Sequence, residues 1–343
     1  MVIEAHAPHL SRLVGNGGAH VGGGYRYRMF GLDVVSDRPI GGLMAAEADR
    51  TGAPDVAISW PGPESRCPTP QGLPTASLAC EHGTTIITRY DDARGSWLRH
   101  RSFGTFFVSA DARDVAVYPR AGVDPAMLDG TLTSQVPIFV LQRRQRPSLH
   151  ASAVVTDVGA AVFLGPKGQG KSTMAALFLR HGAALLADDT LPLRLDGGAA
   201  FGSPSLPSMR LFPESASQTL DVHDSLPHVA PNHDKRHLTL DDRFRFAAGE
   251  SPIRAIYALA RRSVTISGDA SISIRALSGR DSLALLLAQT SVRSLLRPIE
   301  LAPLMRAYQA LVTATPLRVV EFPDGFEYQD GVYAALRADM VAR

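Results

Sequence analysis

Lysine is nearly missing from this chain: of 35 basic residues only three are lysine, Lys167, Lys171 and Lys235. A general preference for arginine explains the scarcity, and lysine is then expected to persist where a guanidinium cannot replace it. Cysteine is almost as rare. Cys67 and Cys80 lie in a Pro- and Gly-rich stretch, make no disulfide framework and match no zinc-ligand spacing. We read them as incidental thiols of a protein in a reducing cytoplasm. No basic start followed by an apolar core opens the chain, and no apolar run reaches the ~18 residues of a membrane span. The best candidate, 151–165, is interrupted by Thr156 and Asp157. Excess charge is lacking too: 35 basic against 33 acidic residues give a net +2 over 343 residues. That balance argues against nucleic acid or anionic lipid as a partner. A hydrophobic content of 45% excludes a wholly disordered chain, and the length suggests two domains or one large one.

What is present divides near Pro147. Glycines from Gly15 to Gly24 suggest a flexible leader over 1–24. From Tyr25 to about Pro119 short β segments alternate with turn residues: Tyr25–Val35, Val56–Trp60, Thr84–Tyr90, Phe103–Ser109 and Val115–Tyr118, with 61–74 as loop. Asp124–Arg144 reads as a closing helix, Asp124 and Pro125 serving as N-cap and first residue and Pro137 as a kink or end. This makes 25–147 a β-rich N-terminal domain, suited to acceptor recognition, ahead of a domain over 148–343. There His150–Thr156, Ala161–Leu164 and Ala184–Ala187 are short apolar runs, and Lys171–His181 is a helix. Strand, glycine loop, helix, strand is the grammar of an α/β nucleotide-binding sheet. Strands are also expected at Leu191–Leu195, Ile253–Ala260, Ser271–Arg275 and Leu317–Phe322. Helices are expected at Arg280–Gln289, Ala302–Thr313 and Gly331–Val341.

Gly165, Pro166, Lys167, Gly168, Gln169, Gly170, Lys171 and Ser172, followed by Thr173, match G-x-x-x-x-G-K-[ST] between an apolar strand and a helix. Glycines let successive N–H groups curl around phosphate oxygens, and the helix N-terminus adds donors and a positive dipole end. Lys171 would set its ammonium between the β- and γ-phosphates of ATP, and the Ser172 hydroxyl would face Mg²⁺. Asp188 and Asp189 end the next apolar run, where one carboxylate suits the metal and the other a hydroxyl nucleophile. The spacing does not say which does which. His223, His228, His233 and His237 fit no regular ligand set and read as a mobile loop near the site. Phe244 and Tyr257 read as core or as a shelf for adenine.

The run Leu149–Ala153, then Gly165–Ser172, then Leu186–Asp189 resembles the catalytic domain of HPr kinase/phosphorylase, over residues 149–195. That family carries a histidine on the strand before the phosphate loop and a paired Asp-Asp after the helix, in a fold related to phosphoenolpyruvate carboxykinase. Farther out, Tyr25–Ser36, Met209–Glu214 and the pair Lys235, Arg236 are similar to a divergent branch found in gene clusters for modified peptides. Some members of that branch are lasso-peptide tailoring kinases acting on a precursor serine. The resemblance implies an α/β phosphate-loop kinase domain behind a β-rich domain, ATP and Mg²⁺ as cofactors, and a peptide or small protein as acceptor. Catalysis would fall to Asp188, Asp189, His150, Lys171 and Arg210; nucleotide contacts to residues 165–173, Lys235 and Arg236; metal contacts to Ser172, Asp188 and Asp189. HPr kinases form hexamers, so the resemblance also admits a homo-oligomer. No counterpart of the family's Gly-Leu-Gly-Ile-Ile-Asn phosphorylase signature is found, so the resemblance does not extend to reverse phosphorolysis. A small-metabolite kinase and a non-catalytic nucleotide-binding regulator are the alternatives.

Overall fold

The structure is a computed structural model. It describes residues 19–342 apart from 22–23, 44–51, 63–64, 71, 81–82, 224–225, 230–233 and 264–269. The chain divides into two compact units: one holds the described residues up to Arg146 together with Val292–Pro303, the other Pro147–Ser291 and Leu304 onward. The second domain expected as one run, 148–343, is therefore interrupted by a segment that belongs to the first.

The first unit is a nine-stranded sheet of Ala19–Val21 (β1), Gly24–Met29 (β2), Leu32–Ser36 (β3), Val56–Ser59 (β4), Ala76–Ala79 (β5), Thr85–Asp92 (β6), Gly95–His100 (β7), Gly104–Ser109 (β8) and Asp114–Pro119 (β9). Their order is β1-β2-β3-β4-β9-β8-β7-β6-β5. The leader expected over 1–24 ends early, because Ala19–Val21 pairs with β2; residues 1–18 lie outside the described residues. Tyr25–Val35 is not one strand but a hairpin, turned by Phe30 and Gly31 at φ 54° and 69°. Two helices follow, Pro125–Leu132 (α1) and Gln135–Arg143 (α2), rather than one. The break comes before Pro137, which sits in the first turn of α2, where its missing N–H is not needed.

Arg89 explains why Val292–Pro303 joins this unit. Its side chain is fully buried, and it donates bidentately to Glu300 at 2.7 and 2.8 Å, to Asp91 at 3.0 Å and to the Leu295 carbonyl at 2.7 Å. A buried guanidinium needs such partners, and here two of them come from 206 and 211 residues farther along the chain.

The second unit is built on Ser148–Leu149 (β10), Ser152–Thr156 (β11), Gly159–Leu164 (β12), Ala184–Ala187 (β13), Leu191–Asp196 (β14), Ala199–Gly202 (β15), Ser251–Arg262 (β18), Ser273–Ala276 (β19) and Leu317–Pro323 (β20). The two-stranded ladder Ser208–Leu211 (β16) and Arg236–Thr239 (β17) stands apart. The helices are Lys171–Arg180 (α3), Pro213–Leu220 (α4), Gly279–Ala288 (α5), Pro298–Ala314 (α6, its first turns in the first unit) and Gln329–Val341 (α7). β12, β18 and β20 are parallel neighbours, and β11 lies antiparallel between β12 and β13. β12 is apolar throughout because it is central, and it buries both faces. Phe163 on it meets Phe178 of α3 at 5.5 Å and Tyr257 of β18 at 6.3 Å. Tyr257 is thus core, its hydroxyl donating to Asp339 at 2.8 Å. Both units together are a mixed α/β protein. Among the described residues, no helix is long and apolar enough to cross a membrane.

Candidate functional site

Strand direction assembles the site. β12 and β13 run the same way, so the glycine loop after Leu164 and the acids after Ala187 emerge at one edge of the sheet. β11 runs the other way, so its first residue, Ser152, starts at that same edge. Residues 36 positions apart are thereby joined: Ser152 Oγ donates to Asp188 Oδ1 at 2.6 Å.

The loop is shaped by Gly165, Gly168 and Gly170 at φ 151°, 85° and 87°. Gly170 is the N-cap of α3 in the left-handed region, a conformation side chains resist. Lys167 is exposed in the turn at 167–168. Gln169 turns its side chain to the sheet, Oε1 accepting from the Arg261 N–H at 3.0 Å. Lys171 opens the helix, as expected, and its buried Nζ donates to the carbonyls of Gly165 at 2.7 Å and Pro166 at 3.3 Å. Burial and the charge of Lys235 lower its pKa against the opposing pull of Asp189 and Asp188. Ser172 follows in the first turn, whose N–H groups have no partner within the helix. Thr173 Oγ1 lies 3.1 Å from the Ser215 hydroxyl of α4.

Asp188 and Asp189 have different surroundings. Asp188 is held from both sides, by Ser152 and, at 2.8 Å, by the backbone N–H of Arg210. Asp189 adopts φ 74° and leaves 40% of its side chain exposed. Arg210 Nη1 donates to its Oδ2 at 3.1 Å. His150 Nδ1 lies 2.9 Å from the Asp189 carbonyl and 3.3 Å from Oδ1. A carbonyl can only accept, so Nδ1 carries a proton and donates it to the Asp189 carbonyl. Burial opposes ionisation of Asp189, but the His150 hydrogen bond and the charges of Arg210, His150 and Lys235 outweigh it. They hold the carboxyl well below the usual carboxylate range.

The sequence expectations meet this geometry unevenly. His150 is not on a strand; it sits in the bend between β10 and β11. Arg210 reaches the acids from β16. Lys235 stands 5.5 Å from the Phe212 ring and acts electrostatically on Lys171 and Asp189. Arg236, the first residue of β17, donates to His228 Nδ1 at 2.7 Å and to the Asp234 carbonyl at 3.3 Å. The expected histidine loop is partly ordered as β17: His237 pairs across from Arg210, and His223 meets Asp221 at 2.6 Å. His233 lies outside the described residues. Two participants were not expected from sequence, Ser152 and Gln289, since neither belongs to a recognisable spacing.

No family model matches this chain, and no curated protein matches its sequence. Among solved structures it is similar to the Hpr(Ser) kinase/phosphatase from Coxiella burnetii, at 10% identity over 57% of this chain and 97% of that one, with a TM-score of 0.32. A likeness so loose carries no argument, and the functional reading rests on the residues themselves.

Proposed function

We propose that the second unit is an ATP-dependent phosphotransferase acting on a serine hydroxyl of a peptide or small protein, of the HPr-kinase-like kind that the sequence resembles. The carrying observation is that the glycine loop with Lys171 and the pair Asp188, Asp189 leave parallel strands on the same side of the sheet, where His150 and Arg210 contact Asp189.

The loop amides and first-turn N–H groups of α3 receive the phosphates, and Lys171 exchanges its carbonyl partners for β- and γ-phosphate oxygens. Among the described residues no group of three or more His, Cys, Asp or Glu could hold a metal. Hydroxyl and carboxylate oxygens are nonetheless the donors Mg²⁺ accepts, and Mg²⁺ bound with ATP takes one or two protein ligands beside phosphates and waters. Ser172 and Asp188 suit that part, and the ion would neutralise charge between the β- and γ-phosphates. Asp189, 40% of its side chain exposed, orients the acceptor hydroxyl and takes its proton. The serine oxygen–phosphorus bond forms as the bond from the γ-phosphorus to the β,γ-bridging oxygen breaks, and ADP departs with that oxygen. Arg210 offsets the charge on the transferred group, and His150 fixes Asp189 through Nδ1–H.

Incubation with labelled ATP and serine-containing precursor peptides tests this reading. Label on serine, lost with Lys171→Ala, supports it. Transfer to free serine or a sugar alone makes the protein a metabolite kinase. ATP bound but never consumed, whatever acceptor is offered, makes it a nucleotide-binding regulator.

A further inference from the structure

Gln289 caps the C-terminal end of α5, far in sequence from every residue assigned above, yet it touches two parts of the site. Its backbone carbonyl accepts the His150 N–H at 2.6 Å. Its side chain, only 9% exposed, faces the carbonyls of His150 and Gly165. Both are acceptors, so the amide presents Nε2 to them, at 3.2 Å from each. The segment is anchored: Leu149 bridges Thr290, the Ser291 N–H donates to the Ser148 carbonyl at 3.0 Å, and Thr290 Oγ1 lies 2.9 Å from the buried Tyr308 hydroxyl.

The Gly165 carbonyl is shared between Gln289 Nε2 and Lys171 Nζ. If Lys171 turns to a phosphate, Gln289 Nε2 remains as a donor to that buried carbonyl. A buried carbonyl without a donor is costly, so Gln289 lowers the cost of releasing the lysine.

Resting on the kinase reading, we infer that Gln289 is a positioning residue. It fixes the mouth of the phosphate loop to the His150 bend and holds the Gly165 carbonyl while Lys171 engages nucleotide. Gln289→Leu keeps the approximate volume and removes both donors; Gln289→Glu keeps the shape and replaces the donor with a carboxylate facing two carbonyls.

The test measures ATP affinity and melting temperature for wild type, both Gln289 variants, Lys171→Ala and the double variant Lys171→Ala/Gln289→Leu. Expected are a loss of about 5- to 20-fold in ATP affinity for each Gln289 variant, in line with one or two hydrogen bonds, and little further loss from Gln289→Leu once Lys171 is gone. Such non-additivity marks an effect that passes through the lysine, which general destabilisation would not produce. Unchanged affinity in Gln289→Leu, or equal losses with and without Lys171, overturns the inference and leaves the kinase reading standing. Wild type that fails to bind ATP overturns both. If Gln289→Leu does not fold, Gln289→Glu carries the comparison alone, against Lys171→Ala/Gln289→Glu.

Discussion

Arg210 binds both acids at once: its Nη1 donates to Asp189 at 3.1 Å while its backbone N–H donates to Asp188 at 2.8 Å. One residue of β16 thus fixes the spacing of two neighbouring carboxylates and leaves them unequal. Each Asp188 oxygen takes one fixed donor and keeps a lone pair for a cation, whereas Asp189 leaves 40% of its side chain exposed.

The two acids should therefore fail differently. Asp189→Asn is expected to lower kcat by about 10²–10³-fold with ATP affinity little changed, because it removes the group facing the hydroxyl. Asp188→Asn sets an amide against the donors Ser152 and Arg210 and should cost about 1–3 kcal/mol of stability. Steady-state kinetics and urea unfolding of both variants check this; equal behaviour in the two measurements refutes the division of roles.

The three lysines are separable by substitution. Lys171→Arg should abolish transfer, since a planar guanidinium does not fit the slot closed by the Gly165 and Pro166 carbonyls. Lys167→Arg, at an exposed turn position, should leave ATP affinity within about twofold, as surface charges contribute little. Lys235→Ala should weaken ATP binding by about 3- to 10-fold, the scale of one partly exposed charge. Titration of each variant with a fluorescent ATP analogue decides.

Gly170→Ala places a Cβ at φ 87°. Apart from its flanking residues, nothing lies within 4 Å of that position, so the penalty is conformational rather than a clash with the rest of the fold. It should be about 1–2 kcal/mol, visible as a lower melting temperature, and the loop should bind ATP more weakly as its backbone relaxes.

In the first unit, burial acts on Glu300 against ionisation, but Arg89, the Arg297 N–H and the Arg297 charge prevail and bring its pKa from 4.5 down to about 2. A carboxyl with a depressed folded pKa contributes stability above its unfolded pKa and loses it as pH falls through the folded one. Glu300→Gln should thus cost about 3 kcal/mol near neutral pH, the scale of a broken buried pair. The gap from wild type should narrow between pH 4.5 and 2. A gap that stays constant across that range, followed by thermal melts, would contradict the ion-pair account.

Local pattern made much of this readable in advance. The strand, glycine loop and helix at 159–180 combine apolar continuity, glycines and a helix start, all of them short-range signals. Asp188 and Asp189 were legible for the same reason. The Phe30–Gly31 hairpin was not, since a non-glycine residue at φ 54° gives no turn signal of its own. Nor was the split between α1 and α2, because proline was expected to end a helix and instead lies in the first turn of one.

By itself, then, the sequence determined the glycine loop between strand and helix, the paired acids and the central buried strand, all consequences of neighbours a few residues apart. Tertiary structure decided everything that depends on direction and register. The antiparallel course of β11 brought Ser152 to Asp188, the placing of β17 brought Arg236 to His228, and the return of Val292–Pro303 to the first unit followed from the need of buried Arg89 for Glu300. Gln289 belongs with these, because a single amide serving two backbone carbonyls leaves no trace in spacing and exists only once the chain has closed on itself.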